Sequence, residues 1–208
     1  MFIDLFLFII LYRLKLRVIL FFAGYKKPWK FFMSTIAANL PLIDQAVYTK
    51  DGEIVSHEAL AQVPLLCYYV AAKWCPSSRK FKEQLENFYN TVNNPKKRLE
   101  IIYLSVDASE TDHKEQTSSF PWLNTAFNTA GVKKFLSENS ITLIPSLLLI
   151  RKEDGTIIKK DCRGDVHFKG ANAIEEWINL TIEASKDRIT LNESAISKQL
   201  NNSTSTKK

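Results

Sequence analysis

Cysteine, histidine and glycine are scarce in this sequence, and each shortage excludes a kind of site. The 208 residues include three cysteines, three histidines and six glycines. Cysteines this few and this widely spaced cannot form the disulfide scaffold of a small secreted domain or a pair of zinc knuckles, and the histidines lack the spacing of metal ligands. The glycines are not clustered, so no loop can cradle a nucleotide phosphate. We therefore expect no metal, no bound cofactor and a reducing compartment.

The sequence also lacks an uninterrupted apolar run of about 20 residues, the length that a membrane-spanning helix needs. Residues 2–11, apart from Asp4, and residues 18–25 are apolar, but three cations lie between them: Arg13, Lys15 and Arg17. Each cation near the middle of a span would cost roughly 3 kcal/mol. A single helix through both runs is therefore not favoured.

Residues 1–32 are predicted to be an extension rather than part of the folded domain. Asp4 stands where a signal peptide carries positive charge, and Met33 begins the polar stretch that leads into the domain. The extension is interpreted as an interfacial anchor, a leader or a segment before an alternative start at Met33. We expect a cytoplasmic protein with weak membrane contact through residues 1–32. Membrane association or secretion through this segment is the alternative.

Positive charge is concentrated at the two ends of the chain. The net charge of +6 divides into +5 for residues 1–32, +3 for residues 185–208 and −2 for the residues between them. A nucleic-acid-binding domain carries its Lys and Arg side chains on the folded surface instead. We therefore expect no nucleic acid among the partners.

Two largely apolar segments, residues 65–72 and 99–106, predict central strands that are covered on both faces. A helix that begins at Pro76 connects them. The predicted order is β, β, α, β, α, β, β, α, an α/β sandwich with parallel central strands and an antiparallel hairpin before the last helix. The domain is placed at residues 33–184. Ser, Thr, Asn and Lys dominate residues 185–208, which predicts a disordered tail.

The segment from Trp74 to Ser78 joins the first of these strands to the helix and carries the clearest chemical signal. Cys75 is placed at a helix N-terminus, where unpaired backbone N–H groups and the helix dipole favour a thiolate over a thiol. Pro76 suits the first helical position because it has no N–H to leave unpaired. Cys75 is therefore a candidate nucleophile, and a cysteine that merely packs in the core is the alternative.

The residue three positions after Cys75 is Ser78, where a dithiol redox motif would carry its second cysteine. A serine hydroxyl can donate a hydrogen bond to a thiolate, but it cannot form an intramolecular disulfide. The sequence therefore predicts a monothiol site. Cys162 is a candidate second thiol, although the sequence does not fix the strand register that decides which face it occupies.

Pro145 lies directly before an apolar segment that predicts a strand from Ser146. Proline has no N–H for the sheet, so it belongs at the start of a strand or in a special turn. Taken alone, this position predicts an ordinary trans peptide bond, because only about 5–6% of X–Pro bonds in folded proteins are cis.

Together these residues resemble the thioredoxin superfamily, and within it the nucleoredoxin and tryparedoxin branch. The similarity is carried by residues 69–81, 105–107, 120–123 and 154–155. More narrowly, the chain resembles the nucleoredoxin-like 2, or rod-derived cone viability factor, group. The resemblance spans roughly residues 46–184.

This resemblance implies a thioredoxin-like fold, in which helices flank a central mixed β-sheet and a cis-proline loop faces the active-site cysteine. In this chain the loop would be formed by Ile144 and Pro145, and its backbone would pair with an extended substrate segment. Trp74 would shield one side of Cys75.

Two positions depart from the active dithiol members of the superfamily. Ser78 replaces the resolving cysteine, and Tyr69 replaces the buried Asp that carries protons to it. The resemblance then implies thiol–disulfide exchange or redox protection through Cys75, with protein thiols or disulfides as partners and glutathione as the external reductant. The alternative is a redox-inactive binding or signalling module involved in cell maintenance, in which residues 120–122 either add an aromatic contact or pack in the core.

Two other families that use a reactive cysteine fit less well. A peroxiredoxin is excluded because Ala72 stands three residues before Cys75, where those enzymes have Thr or Ser. A monothiol glutaredoxin is the weaker rival: Cys-Pro-x-Ser suits it, but Trp74 and the long segment 107–127 argue against it.

Overall fold

The computed structural model describes residues 46–205, and the predictions for residues 1–32 lie outside this range. Within it, the strands are β1 (Val47–Tyr48), β2 (Ile54–Val55), β3 (Leu65–Ala71), β4 (Leu99–Ser105), β5 (Leu123–Thr125), β6 (Ser146–Ile150) and β7 (Ile157–Lys159). The helices are α1 (His57–Gln62), α2 (Pro76–Val92), α3 (Glu110–Thr117), α4 (Thr129–Glu138), α5 (Arg163–Lys169) and α6 (Ala173–Ser205), with a 3₁₀ turn at Gly170–Asn172.

The strands form one mixed sheet in the order β2-β1-β5-β4-β3-β6-β7. The central strands β3, β4 and β5 are parallel, whereas β6 runs antiparallel to β3 and β7 antiparallel to β6. At the other edge, β1 runs antiparallel to β5 and pairs with β2 in a short hairpin. The predicted α/β architecture with parallel central strands and a C-terminal hairpin is confirmed.

Every residue of β3 and β4 is buried, as the largely apolar segments predict, and the buried Glu100 accepts a hydrogen bond from Tyr89 and pairs with Lys97. Alternate side chains of β3 point to opposite faces. Cys67 and Tyr69 face a first cluster, which α2 and α6 complete, and Tyr68 and Val70 face a second cluster, which α1 and α4 complete. Because both faces are covered by helices, neither strand needs polar alternation.

The pairing of β3 with β6 positions the candidate site. Because the two strands run antiparallel, the first residue of β6 lies beside the end of β3, and Ser146 pairs with Val70. Pro145, one residue earlier, is thereby brought to the turn that follows β3. This turn carries Trp74 and Cys75.

The return strand β7 ends at Lys159, and residues 163–169 form helix α5, an element that the predicted order does not contain. Cys162 occupies the N-cap position of this helix rather than a place in a strand. The buried carboxylate of Asp165 accounts for the difference. It accepts a 2.8 Å hydrogen bond from Nε1 of Trp177 and forms a 2.6 Å ion pair with Lys159, contacts that hold the first turn of α5 against the domain.

Helix α6 continues to Ser205, well beyond Ala184, where the sequence predicts its end. The structure therefore differs from the predicted disordered tail over residues 185–205. No Gly or Pro interrupts the chain between Ala173 and Ser205, and without such a residue the helix has no strong stop signal. Among the described residues, no helix combines the length and apolar character that crossing a membrane requires.

Candidate active site

Cys75 occupies the N-cap position of α2, at the end of the turn that follows β3. Its carbonyl oxygen accepts hydrogen bonds from the amides of Ser78 and Arg79, at 3.1 and 3.2 Å. Pro76 fills the first helical position, as predicted. The Cys75 side chain is 8% exposed and makes no capping bond, so its sulfur is not used to start the helix.

The surroundings of the Cys75 sulfur stabilise its charged form. Burial acts to raise the pKa of this thiol. The Ser78 hydroxyl, the backbone amides of Ser78 and Ser77 and the positive charge of Arg79 outweigh burial and lower the pKa from its ordinary value of 9.0. Because the thiolate is the nucleophile in disulfide exchange, this arrangement favours the reactive form.

Ser78 is buried below Cys75, and its hydroxyl has no partner in hydrogen-bonding geometry among the described residues. A buried hydroxyl normally finds a partner. The interaction left to it is with the Cys75 sulfur, and such a bond is stronger when the acceptor is charged. Ser78 can therefore stabilise a thiolate on Cys75 without giving up another bond.

Tyr69 lies beneath the site and contacts the first turn of α2. Its hydroxyl donates a 3.1 Å hydrogen bond to the carbonyl oxygen of Ser78. Burial, followed by the nearby Cys75, raises the pKa of Tyr69, and Arg163 lowers it by less. Tyr69 therefore stays neutral and is a hydrogen-bond donor, not a proton carrier.

The loop before β6 faces Cys75. The peptide bond between Ile144 and Pro145 is cis, and the carbonyl oxygen of Ile144 lies 3.9 Å from the Cys75 sulfur, which donates a weak hydrogen bond to it. Leu143, the residue before, is 68% exposed. The structure thus brings together Cys75, Ser78 and the proline loop.

Trp74 is 59% exposed and forms one wall of an open groove of about 700 Å³. Val106, Phe127 and Leu136 supply further apolar surface, and Lys133 is the one cation among the lining residues. Cys75 does not line the groove, but it belongs to the second cluster together with Val106.

Asp107 anchors the turn that carries Trp74, a role that the sequence analysis missed. The carboxylate is fully buried and accepts hydrogen bonds from the amide of Lys73 at 2.6 Å, the hydroxyl of Tyr103 at 2.9 Å and the hydroxyl of Ser105 at 2.7 Å. Residues 105–107 contributed to the family resemblance, which was the one signal that pointed to them.

His113 is a buried ionisable group behind the groove. Its ring stacks on Tyr103, with centroids 5.9 Å apart, and contacts Phe127 at 5.8 Å. Its Nδ1 has no hydrogen-bond partner among the described residues. Burial lowers the pKa of His113, and Asp107 and a hydrogen bond to the backbone of Thr125 counteract this only in part.

Cys162 is not brought to Cys75. It is fully buried in the first cluster together with Cys67, whereas Cys75 belongs to the second cluster on the other face of the sheet. Burial, followed by the charge of Asp165, raises the pKa of Cys162 to about 12. As a second thiol for Cys75, it would have to approach from across the sheet, in an unreactive form.

The aromatic loop at residues 120–122 serves the core. Phe120 and Trp122 are buried in the first cluster, with ring centroids 5.0 Å apart. Both rings also contact Tyr69. Of the two interpretations of this loop, the structure supports packing and not an exposed partner contact.

Comparison with known proteins places these observations in a family. A family model described as thioredoxin-like matches residues 64–157. Tryparedoxin from Trypanosoma brucei brucei is 29% identical over 148 residues, which cover 71% of this chain and 100% of that protein. Human nucleoredoxin is 29% identical over 99 residues, which cover 47% of this chain but 22% of that protein. The chain thus spans all of the tryparedoxin and less than a quarter of the nucleoredoxin.

Solved structures give the same result. Tryparedoxin from Trypanosoma brucei superposes with a TM-score of 0.60 at 27% identity, covering 69% of this chain and 97% of that one. Tryparedoxin II in complex with glutathionylspermidine has a TM-score of 0.53 at 29% identity, covering 59% of this chain and 85% of that one. The narrower resemblance to the nucleoredoxin-like 2 group stays a prediction. The chain contains a thioredoxin-like domain whose homologues are tryparedoxins and nucleoredoxins.

Proposed function

We propose that this protein exchanges disulfides with other proteins through Cys75 alone. The observation that carries the proposal is the position of Cys75 at the start of α2, with Ser78 beneath its sulfur and the carbonyl of Ile144 opposite it. Homology to tryparedoxins and nucleoredoxins supports thiol–disulfide exchange as the chemistry. Ser78 in place of a second thiol supports a monothiol mechanism.

The exchange balances as two thiol–disulfide steps. In the first, the Cys75 thiolate attacks a disulfide-bonded sulfur of the target, the disulfide breaks, and the leaving thiolate takes a proton from solvent. In the second, an external thiolate attacks the sulfur that is bonded to Cys75, a new disulfide forms between these two sulfurs, and the Cys75 thiolate leaves. Because Ser78 cannot perform this second attack from within, an external thiol has to supply the electrons.

Glutathione is the external thiol that we propose. One structural relative is a tryparedoxin in complex with glutathionylspermidine, which is a glutathione conjugate bound by that protein. Glutathione also serves as the thiol pool of reducing compartments, and we propose a cytoplasmic location on that ground.

The proline loop and Trp74 are assigned to substrate binding. The backbone at Ile144 would pair with an extended segment of the target protein, a form of β-strand addition. Trp74 would cover one side of the mixed disulfide. Pro76 has no N–H, so the first position of α2 has no amide that needs a hydrogen-bond partner.

A redox-inactive docking module is the second candidate, because two large apolar side chains beside the site are exposed. Trp74 and Leu143 flank Cys75 from the turn after β3 and from the proline loop, and both are more than half exposed. Such a surface can bind a peptide without covalent chemistry.

Trapping of the mixed disulfide tests the proposed function. Wild-type protein incubated with a glutathionylated peptide should gain a disulfide-linked adduct by intact mass, Cys75→Ser should gain none, and the matched variant Cys162→Ala should behave as wild type. Equal deglutathionylation by wild type and Cys75→Ser would contradict the proposal.

A pull-down tests the docking alternative. If Cys75→Ala retains the same partners as wild type, docking without covalent chemistry is favoured.

A further inference from the structure

The groove beside Trp74 has the composition of a small-ligand site. Its walls are mostly apolar, contributed by Trp74, Val106, Phe127 and Leu136, and its volume is about 700 Å³. Pockets for small ligands occupy roughly 300–1,000 Å³ and combine apolar walls with a few polar groups that fix orientation. Trp74 directly precedes Cys75 in the chain, and Val106 and Leu136 pack in the same cluster as Cys75.

The one acidic residue that lines the groove does not present its charge to it. Asp107 is fully buried, and its two carboxylate oxygens accept hydrogen bonds from the Lys73 amide and from the hydroxyls of Tyr103 and Ser105. The lining hydroxyl of Thr129 donates to the Asp107 carbonyl at 2.8 Å. Both groups are therefore committed within the fold.

Lys133 is the remaining charged group of the lining, and it is exposed. It has no carboxylate within ion-pairing distance among the described residues, whereas the adjacent Lys134 and the lysine that precedes Trp74 do. Lys134 pairs with Glu138 at 3.8 Å, and Lys73 pairs with Asp112 at 2.8 Å and with Glu115. The groove is thus apolar with one unmatched positive charge.

We infer that this groove holds the glutathionyl half of a Cys75 mixed disulfide, with the ammonium of Lys133 binding a glutathione carboxylate. The inference rests on the proposed function and names the charge class of its small substrate. Glutathione has its sulfur in the middle of a tripeptide and carries one more carboxylate than ammonium groups. An anionic tripeptide of this kind suits an apolar groove that carries one cation and is lined by the residue directly before Cys75. Lys133 is then a specificity-determining residue.

A single thiol–disulfide exchange between Cys75 and a small disulfide is enough to test the groove. The Cys75 thiolate attacks one sulfur of a small symmetrical disulfide, the disulfide bond breaks as the Cys75–sulfur bond forms, and the departing thiolate is protonated by solvent. Three small disulfides differ in charge: glutathione disulfide is anionic, hydroxyethyl disulfide is neutral and cystamine is cationic. Comparing their rates separates the effect of charge from the general reactivity of Cys75. The rate of each is followed by intact mass.

The test compares Lys133→Met with the matched control Lys134→Met, an adjacent exposed lysine that does not line the groove. The rate with glutathione disulfide, divided by the rate with hydroxyethyl disulfide, should fall about two- to fivefold in Lys133→Met, the range that an exposed ion pair supplies. The same ratio should stay at the wild-type value in Lys134→Met, and added salt should reduce it in wild type. The rate with cystamine, divided by the rate with hydroxyethyl disulfide, should rise in Lys133→Met.

The outcomes separate this inference from the proposed function. If all three disulfides react with Cys75 and the ratios are the same in both lysine variants, Lys133 does not select the substrate and the inference fails while the proposed function stands. If Lys134→Met lowers the ratio as much as Lys133→Met, general surface charge is responsible and the inference also fails. If no disulfide forms an adduct with Cys75, both fail.

Discussion

The hydroxyl of Tyr69 donates a 3.1 Å hydrogen bond to the carbonyl oxygen of Ser78, nine residues later in the chain. This bond ties the buried strand β3 to the first turn of α2. Tyr69 and Ser78 are also the two positions at which the sequence departs from the dithiol pattern of the family that it resembles. Their hydrogen bond gives the first turn of α2, which follows Cys75, structural support.

Replacing Tyr69 with Phe should destabilise the domain with little effect on Cys75. The change leaves the ring in the core but removes the donor to the Ser78 carbonyl, which costs about 1 kcal/mol. Urea unfolding should show that loss, while the rate of Cys75 alkylation at neutral pH should change less than twofold. A large fall in alkylation at unchanged stability would show that Tyr69 acts on the sulfur directly.

Replacing Ser78 with Ala should make Cys75 a weaker acid. The Ser78 hydroxyl is among the groups that lower the pKa of Cys75, so its loss raises that pKa and reduces the thiolate fraction at neutral pH. Alkylation by iodoacetamide should slow several-fold at pH 7 and converge with wild type at high pH.

Ser77→Ala is the matched control for this change. Ser77 is exposed and contributes to the Cys75 thiolate through its backbone amide, which the substitution retains. Its alkylation profile against pH should overlay that of wild type. If the profile of Ser78→Ala also overlays that of wild type, Ser78 does not affect the pKa of Cys75.

Replacing Ser78 with Cys should supply the missing second thiol. Residues three apart in the first turn of a helix lie within the spacing of about 4.4–6.8 Å that a disulfide requires between Cα atoms. Mild oxidation of Ser78→Cys should give a monomer that has lost two hydrogens by mass, and its mixed disulfides should resolve without added thiol. Ser77→Cys serves as the comparison, because its side chain is exposed rather than buried beneath Cys75. Persistent mixed disulfides in Ser78→Cys would mean that the geometry does not allow closure.

His113 should make the domain less stable as the pH falls below about 6.5. Burial lowers the pKa of His113 below its ordinary value of 6.5, so in this range the unfolded chain binds a proton that the folded domain does not. The free energy of unfolding then falls by up to about 1.4 kcal/mol for each pH unit, until the pH reaches the folded pKa. Above pH 6.5 the contribution is constant.

Unfolding of His113→Gln between pH 5 and pH 7 checks this expectation. The variant should be less stable at pH 7, because it loses the ring contacts with Tyr103 and Phe127, but its stability should depend less on pH. His167→Gln, at an exposed position, should retain the wild-type dependence. If the free energy of unfolding of His113→Gln depends on pH as strongly as that of wild type, a group other than His113 causes the dependence.

The sequence predicts the centre of the sheet better than its edges. Residues 65–72 and 99–106 identify β3 and β4 because strands covered on both faces consist almost entirely of apolar residues, with Glu100 and Ser105 as the exceptions here. Strand β5 has three residues and pairs with β4 at two positions, too short for a pattern. Helix α5 depends on Asp165 contacting Trp177 and Lys159, and such tertiary contacts leave no local periodicity.

The candidate site is predicted in the same uneven way. Cys75, Pro76 and Ser78 are local to one strand–helix junction, so their arrangement follows from chain order. The anchoring role of Asp107 depends on the β3–β4 pairing and on a hydrogen bond to Lys73, 34 positions away. The face of Cys162 depends on where β7 ends, which the sequence leaves open.

Cys67 and Cys162 are fully buried in the first cluster, whereas Cys75 is 8% exposed, so an oxidant in solution meets the Cys75 sulfur before the other two. When peroxide converts that sulfur to a sulfenic acid, no neighbouring cysteine can capture it as a disulfide. The lifetime of the oxidised form would then be set by the concentration of small thiols outside the protein. Where those thiols run short, the next product is a sulfinic acid, which ordinary cellular reductants do not reverse.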